Sequence, residues 1–170
     1  YYPMATNEIT HKSTVESEAV KSACGHYRYR LSRIWNREFP INAFLCANPS
    51  VADELVNDET ALKCGNLAIR WNWGGFHLVN LYPYCSTDSS GVFHDKDADR
   101  INAEQILKVI EQVEILVLAC GNLPGSPWNA FIKDVCRDKL YCLKRNAGGG
   151  FQHPSRIKLD DFPSPVPAFG

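Results

Sequence analysis

The chain has 170 residues, 45% hydrophobic and 22% charged, with a formal net charge of −1. That composition suits one globular domain with a sizeable core and excludes a global field that would draw the molecule onto nucleic acid or membrane. No stretch approaches the roughly 18 apolar residues that a membrane span needs, and the opening "YYPMATNEITHK" has no apolar signal region, so the expectation is a soluble, cytosolic monomer.

Residues 1–24 are polar and weakly patterned and read as a frayed arm or a surface helix, ahead of a single domain over residues 25–158. "YRYRLSRIW" from Tyr27 alternates aromatic or apolar residues with arginine, the period-two signature of a half-exposed strand. "NAFLCA" at 42–47 is a short apolar run and reads as the first buried strand. Asp58 can cap a following helix in which Cys64, Leu67, Ala68 and Trp71 share one face, ended by Gly74 and Gly75. "FHLVNL" at 76–81 is the second buried strand and runs into the turn-rich "YPYCSTDSSG".

"ADRINAEQILKVIEQV" sets Ala103, Ile106, Leu107, Ile110 and Val113 on one helical face, and "EILVLACG" follows as the third strand. Ser126 and Pro127 read as an N-cap and first helical residue, with Trp128, Phe131, Ile132 and Val135 as the buried stripe. "LYCLK" at 140–144 is the fourth strand, the glycines at 148–150 open a loop carrying His153, and the proline-rich tail at 159–170 is expected to wrap the surface without regular structure.

Strands separated by helices imply right-handed crossovers and a central, mainly parallel four-stranded sheet covered on both faces. Ligands of such sheets bind outside the carboxyl ends of the strands. Asn48 to Ser50 follow the first strand, Asn80 to Tyr84 finish the second, Gly121 to Pro124 follow the third and the His153 loop follows the fourth.

Each candidate has a bland reading beside its functional one. Asn48 either bonds the backbone of its own turn or faces a ligand, and His153 is either an idle loop residue or part of a site; their pairing at neighbouring strand ends is what points to a site. Asn80 can read a nucleobase edge or make a sheet-end bond, and Tyr82 can stack on a planar ligand or join the core. Arg28, Arg30, Arg33 and Arg37 suit phosphate contacts or a charged edge strand. From Arg137 to Lys158 there are six basic residues against one aspartate, with Lys144, Arg145, Ser155 and Arg156 as the phosphate or DNA contacts. Asp53 and Asp58 follow the Asn-Pro-Ser turn and could supply a base, although a helix cap explains Asp58 better. Among the seven cysteines, Cys46, Cys64, Cys120 and Cys136 fall inside apolar patterns as reduced core thiols; no C-x-x-C pair occurs, and no metal or cofactor is implied. There is no P-loop, no G-x-G-x-x-G and no G-x-S-x-G.

Two resemblances follow from these motifs. Tyr-Arg-Tyr from Tyr27, Asn48-Pro49-Ser50 with Ala52-Asp53, Asp58-x-Thr60, Trp71-x-x-Gly74-Gly75, Val79-Asn80-Leu81, the later Thr87 and His153-Pro154 together resemble a bacterial and phage family known only as a domain of unknown function. "CANPS", "VNLYP" and "QHPS" resemble the motifs of the uracil-DNA glycosylase superfamily, with Cys46-Ala47 where its first motif carries glycine. This second resemblance implies a three-layer α/β/α sandwich in which Asn48 places the hydrolytic water, His153 stabilises charge on the departing base and Asn80 reads its edge. Ala47, Pro49, Ser50, Tyr82 and Thr87 would complete the base pocket. Ser50 stands where the strict uracil enzymes have a tyrosine that crowds position five of the pyrimidine. The resemblance therefore implies a DNA glycosylase for 5-substituted pyrimidines, hydroxymethylated or glucosylated, in duplex phage DNA, with a defence role. The alternatives are a nucleic-acid or nucleotide binding module without hydrolytic activity, and a hydrolase of free modified nucleotides.

Overall fold

A computed structural model describes residues 8–86, 95–122, 134 and 136–170. In chain order the elements are β1 (Glu16–Lys21), β2 (Arg28–Ile34), β3 (Ile41–Cys46), α1 (Glu59–Arg70), β4 (Gly75–Asn80), α2 (Lys96–Gln112), β5 (Leu116–Leu118), β6 (Leu140–Cys142) and β7 (Val166–Pro167). The strands form one sheet in the order β1-β2-β4-β3-β5-β6-β7. β3 pairs in parallel with β4 and β5, and β5 with β6, whereas β1 with β2, β2 with β4, and β6 with β7 are antiparallel.

The α/β class stands, but the expected four-stranded, mainly parallel sheet is corrected to a mixed sheet of seven strands among the described residues. Residues 16–21, read as arm or helix, are the edge strand β1, and the tail contributes β7 instead of lying unstructured. β1 has half-exposed and exposed residues only, and β7 is two residues ending in proline, so neither carries an apolar pattern. β2 is also more buried than its arginines suggest, with Arg28 and Arg33 turned inward.

Strand alternation sorts the core into two layers. Ala43, Leu45, Val79, Leu81, Leu116 and Leu118 meet Ile106, Val109, Ile110 and Val113 from α2 and its end. Phe44, Cys46, Leu78, Val117 and Ala119 point the other way, onto Ala61, Cys64, Leu67 and Ala68 of α1. α1 and α2 thus cover opposite faces. α2 buries Asn102 and Val109 where periodicity placed Ala103 and Leu107, because the Asn102 amide donates to the Asn80 and Leu81 carbonyls at 2.8 and 3.2 Å.

Asp58 caps α1 as expected, its Oδ1 accepting from the Ala61 N–H at 2.7 Å. The helix ends where Asn72 takes a φ of 57° and Trp73 N–H returns to the Ala68 carbonyl at 2.9 Å. Gly74 is obligatory there, since a Cβ would lie 1.6 Å from the Asn36 carbonyl oxygen. From β3 the chain crosses through α1 to β4 on one side, then through α2 to β5 on the other. That reversal opens a crevice at the carboxyl end of β3.

On the α2 face of β4, His77 is buried with its Nδ1 2.7 Å from Ser32 Oγ. Burial, reinforced by the Arg30 charge, lowers its pKa from 6.5 to about 4. The folded state refuses a proton that the unfolded chain binds, so His77 contributes stability above pH 6.5 that is lost as pH falls through about 4. The expected loss over that window is roughly 3 kcal/mol. Urea unfolding at stepped pH should show it, and His77→Gln should flatten it.

Candidate active site at the carboxyl edge of the sheet

β3 ends at Cys46, and the chain turns sharply through Ala47, Asn48 and Pro49. Neighbouring backbone holds the turn: Tyr82 N–H donates to the Ala47 carbonyl and Ser86 N–H to the Pro49 carbonyl, both at 2.9 Å. Asn48 Nδ2 donates to the Ser86 carbonyl at 2.8 Å and more weakly to the Pro49 carbonyl at 3.4 Å. A carbonyl partner fixes which end of the amide is nitrogen. Oδ1 therefore remains as the acceptor, and it takes no hydrogen bond among the described residues.

The segment after the turn hangs on two buried arginines of β2. Arg28 Nη1 donates to the Ala52 carbonyl at 2.7 Å and Nη2 to Asn80 Oδ1 at 3.2 Å. Arg33 Nη2 donates to the Asp53 carbonyl at 2.6 Å and Asn57 Oδ1 at 3.3 Å. These two side chains are struts, which neither the phosphate reading nor the edge-strand reading supplies. Arg30 and Arg37 instead pair with Glu18 and Glu16 on β1.

The opposite wall comes from the loop after β6. Gly121 and Phe151 exchange backbone hydrogen bonds of 2.9 and 3.1 Å, tying that loop to the end of β5. Gly150 permits the approach, because a Cβ there would sit 2.3 Å from Asn122 Oδ1. His153 then heads the short 3-10 turn Pro154–Arg156, with Nδ1 3.2 Å from the Ser155 N–H and 2.8 Å from Ser155 Oγ. Since Nδ1 accepts from that N–H, the proton of the neutral ring is assigned to Nε2.

Between these walls lies a cleft of about 370 Å³. Ala47, Asn48 and Ser50 line one side, His153 and Ser155 another, Ser86 a third, and Asp58, Glu59 and Thr60 at the start of α1 complete it. The volume falls within the range of small-ligand sites. Four hydroxyl-bearing and two carboxylate residues are among those that line it, so it can meet a ligand that carries donors.

Directly beneath, Cys46 is 1% exposed. A hydrogen bond from the Cys64 thiol, opposed by burial and joined by a hydrogen bond from His153, brings its pKa from 9.0 down to about 6. Burial and the neighbouring Cys46 push Cys64 well above its ordinary value. For His153, burial favours the neutral ring, but the Cys46 hydrogen bond and charge, with Asp58 and Glu59 behind them, prevail and raise its pKa above 6.5. Arg28 makes no salt bridge among the described residues; burial lowers its pKa and the Asp58 charge opposes that.

Of the residues expected from sequence, Ala47, Asn48, Ser50, His153 and Ser155 come together. Pro49 is buried beside them and contributes its carbonyl. Asn80 makes a sheet-end bond, the other of its two readings: it is 2% exposed, outside the cleft lining, with Oδ1 accepting from Arg28. Tyr82 is half-buried, outside the cleft lining, and packs against the α2-side core. Arg145 is no free phosphate contact, since its guanidinium lies 4.7 Å from the Phe151 ring and 5.4 Å from the Phe169 ring and donates to the Gly149 and Ala168 carbonyls. Lys144 and Arg156 are exposed and outside the cleft lining. Thr87 and the helix expected after Ser126 and Pro127, with its stripe from Trp128 to Val135, lie outside the described residues.

Sequence reasoning missed Glu59, Thr60, Ser86 and Cys46 as parts of the site, and it offered Asp58 as a base only behind its capping duty. A signal existed for the first two and for Asp58. A helix that follows a parallel strand must begin at the sheet's carboxyl edge, so the first turn of α1 was bound to reach the rim.

The fold and cleft define an α/β protein with a polar site built from the ends of parallel strands and the start of a crossover helix. Residues 28–155, three quarters of the chain, match the family described as Protein of unknown function (DUF1643), and the protein belongs to that family. No curated protein and no solved structure matches the chain. No helix among the described residues is long and apolar enough to cross a membrane.

Proposed function

We propose that the protein is a DNA glycosylase of the uracil-DNA glycosylase kind that hydrolyses the N-glycosidic bond of an extruded 5-substituted pyrimidine, leaving an abasic site. The substrate class is hydroxymethylated or glucosylated phage DNA, and the role is defence. The observation that carries this reading is that Asn48 and His153, 105 positions apart in sequence, line one cleft. A base must leave the stack to enter such a cleft. Bond cleavage builds negative charge on the departing pyrimidine, which the fixed positive charge of a protonated His153 ring stabilises. Ser50, Thr60 and Ser155 offer hydroxyls, and Asp58 and Glu59 acceptors, to a polar substituent at position five.

The test is incubation with hydroxymethylated, glucosylated, uracil-containing and unmodified duplexes, with released base read by mass spectrometry. Release from a modified duplex is expected; abasic sites in none of them would end the reading. A second reading has one specific observation in its favour. Two carboxylates line the cleft while Arg145 is engaged elsewhere, which suits free modified nucleosides better than a phosphate backbone. Duplex binding that weakens steeply with salt, and weakens further in Arg156→Gln, would exclude it.

A further inference from the structure

Hydrolysis of a glycosidic bond needs a group that takes a proton from water, and an amide cannot do so. Asn48 is therefore limited to orienting that water. Its Nδ2 is spent on the Ser86 carbonyl, which leaves Oδ1 to accept one water hydrogen. The second hydrogen must go elsewhere.

Two carboxylates share the cleft with Asn48 and His153. Glu59 is exposed on the first turn of α1, whereas Asp58 is half-buried and held. Its Oδ1 accepts from the Ala61 N–H at 2.7 Å, which fixes the side chain, and its other carboxylate oxygen has no hydrogen-bond partner among the described residues. The buried Arg28 lies near enough for the Asp58 charge to be felt at its guanidinium, so a fixed positive charge stands behind the carboxylate. Asp53 and Glu54, which also follow the turn, are outside the cleft lining, and Asp53 Oδ1 accepts from the Leu55 and Val56 N–H groups at 2.9 and 2.7 Å.

Resting on the glycosylase reading, we infer that Asp58 is the general base, its free carboxylate oxygen removing the proton from the water that Asn48 orients. In the step, the water oxygen bonds to C1′ of the deoxyribose while the bond from C1′ to the base nitrogen breaks. The bonding pair leaves on the base, where the positive charge of the His153 ring meets it, and the water proton ends on Asp58. No other reactant is required. One side chain thus starts the helix and serves the reaction.

The dual duty supplies a clean experiment, because asparagine caps a helix as well as aspartate but accepts no proton. Asp58→Asn is expected to keep the wild-type unfolding midpoint and affinity for modified duplex while single-turnover base release falls roughly 100-fold or more. Asp53→Asn, which keeps its own turn, should leave release unchanged. Release at the wild-type rate in Asp58→Asn would overturn the assignment of Asp58 alone. A wild-type protein that releases no base from any modified duplex would overturn both this inference and the glycosylase reading.

Discussion

Replacing His153 by alanine is expected to slow base release by roughly 10²- to 10³-fold, the usual cost of removing one preorganised donor from a developing anion. The ring is well placed to act. Its Nδ1 is held by Ser155 and its other nitrogen by Cys46, which fixes the ring in the wall of the cleft. The raised pKa adds a pH signature. Burial works against the charged ring, but the Cys46 hydrogen bond and charge, with Asp58 and Glu59, outweigh it, so the imidazolium persists above the ordinary 6.5. Release by the wild type should therefore decline only as pH rises through that raised value. His153→Gln, which keeps a donor but cannot titrate, should retain partial activity and lose this alkaline limb. Binding of modified duplex by His153→Ala at near wild-type affinity would separate lost chemistry from lost structure. A His153→Ala rate equal to wild type would remove the residue from the mechanism.

The largest expected effect on stability is that of Arg28→Met. The methionine fills the path of the arginine stem but strands two acceptors, the Ala52 carbonyl and Asn80 Oδ1. Each buried unpaired acceptor costs about 1–3 kcal/mol, partly offset because a buried guanidinium no longer has to be desolvated. The net loss should be on the order of 2–4 kcal/mol, a large share of what a domain of this size possesses. Urea titration gives the number directly. Arg30→Met is the comparison, since its ion pair with Glu18 is partly exposed and should be worth under about 1 kcal/mol. Equal stability of the two variants would contradict the strut role. Arg28→Met should also slow base release, because Ala52 follows the Asn48 turn by four residues.

How far the sequence could be read depended on what each signal measures. Apolar runs report burial on both faces of a strand, so β3 and β4 were legible almost to the residue. The Asp58 cap and the face of α1 were legible because capping and helical spacing are local. The outer strands were not. β1 and β7 are held by pairing at the sheet's edges, and their own residues carry no apolar rhythm. The arginines of β2 misled for a related reason: charge in a strand ordinarily means solvent, and only tertiary structure shows Arg28 and Arg33 spent on backbone carbonyls.

The site followed the same division. Asn48 and His153 stood out because each breaks its local pattern at a strand end. Asn80 stood out equally and is nevertheless structural, since the residue that occupies it, Arg28, is 52 positions away. Arg145 is committed to Phe151, Phe169 and the tail, contacts that no local pattern encodes.

The buttressing of the Asn48 turn from β2 sets the smallest unit that could be transplanted. Grafting the Asn-Pro-Ser turn and the His-Pro-Ser loop onto another parallel sheet would carry over Asn48, Ser50, His153 and Ser155, yet leave Asp58 behind on α1 and the turn's continuation without Arg28 and Arg33. An engineer borrowing this cleft would have to bring an antiparallel neighbour strand with both guanidinium groups, and homologues shortened at that strand should have diverged in activity before they lost their fold.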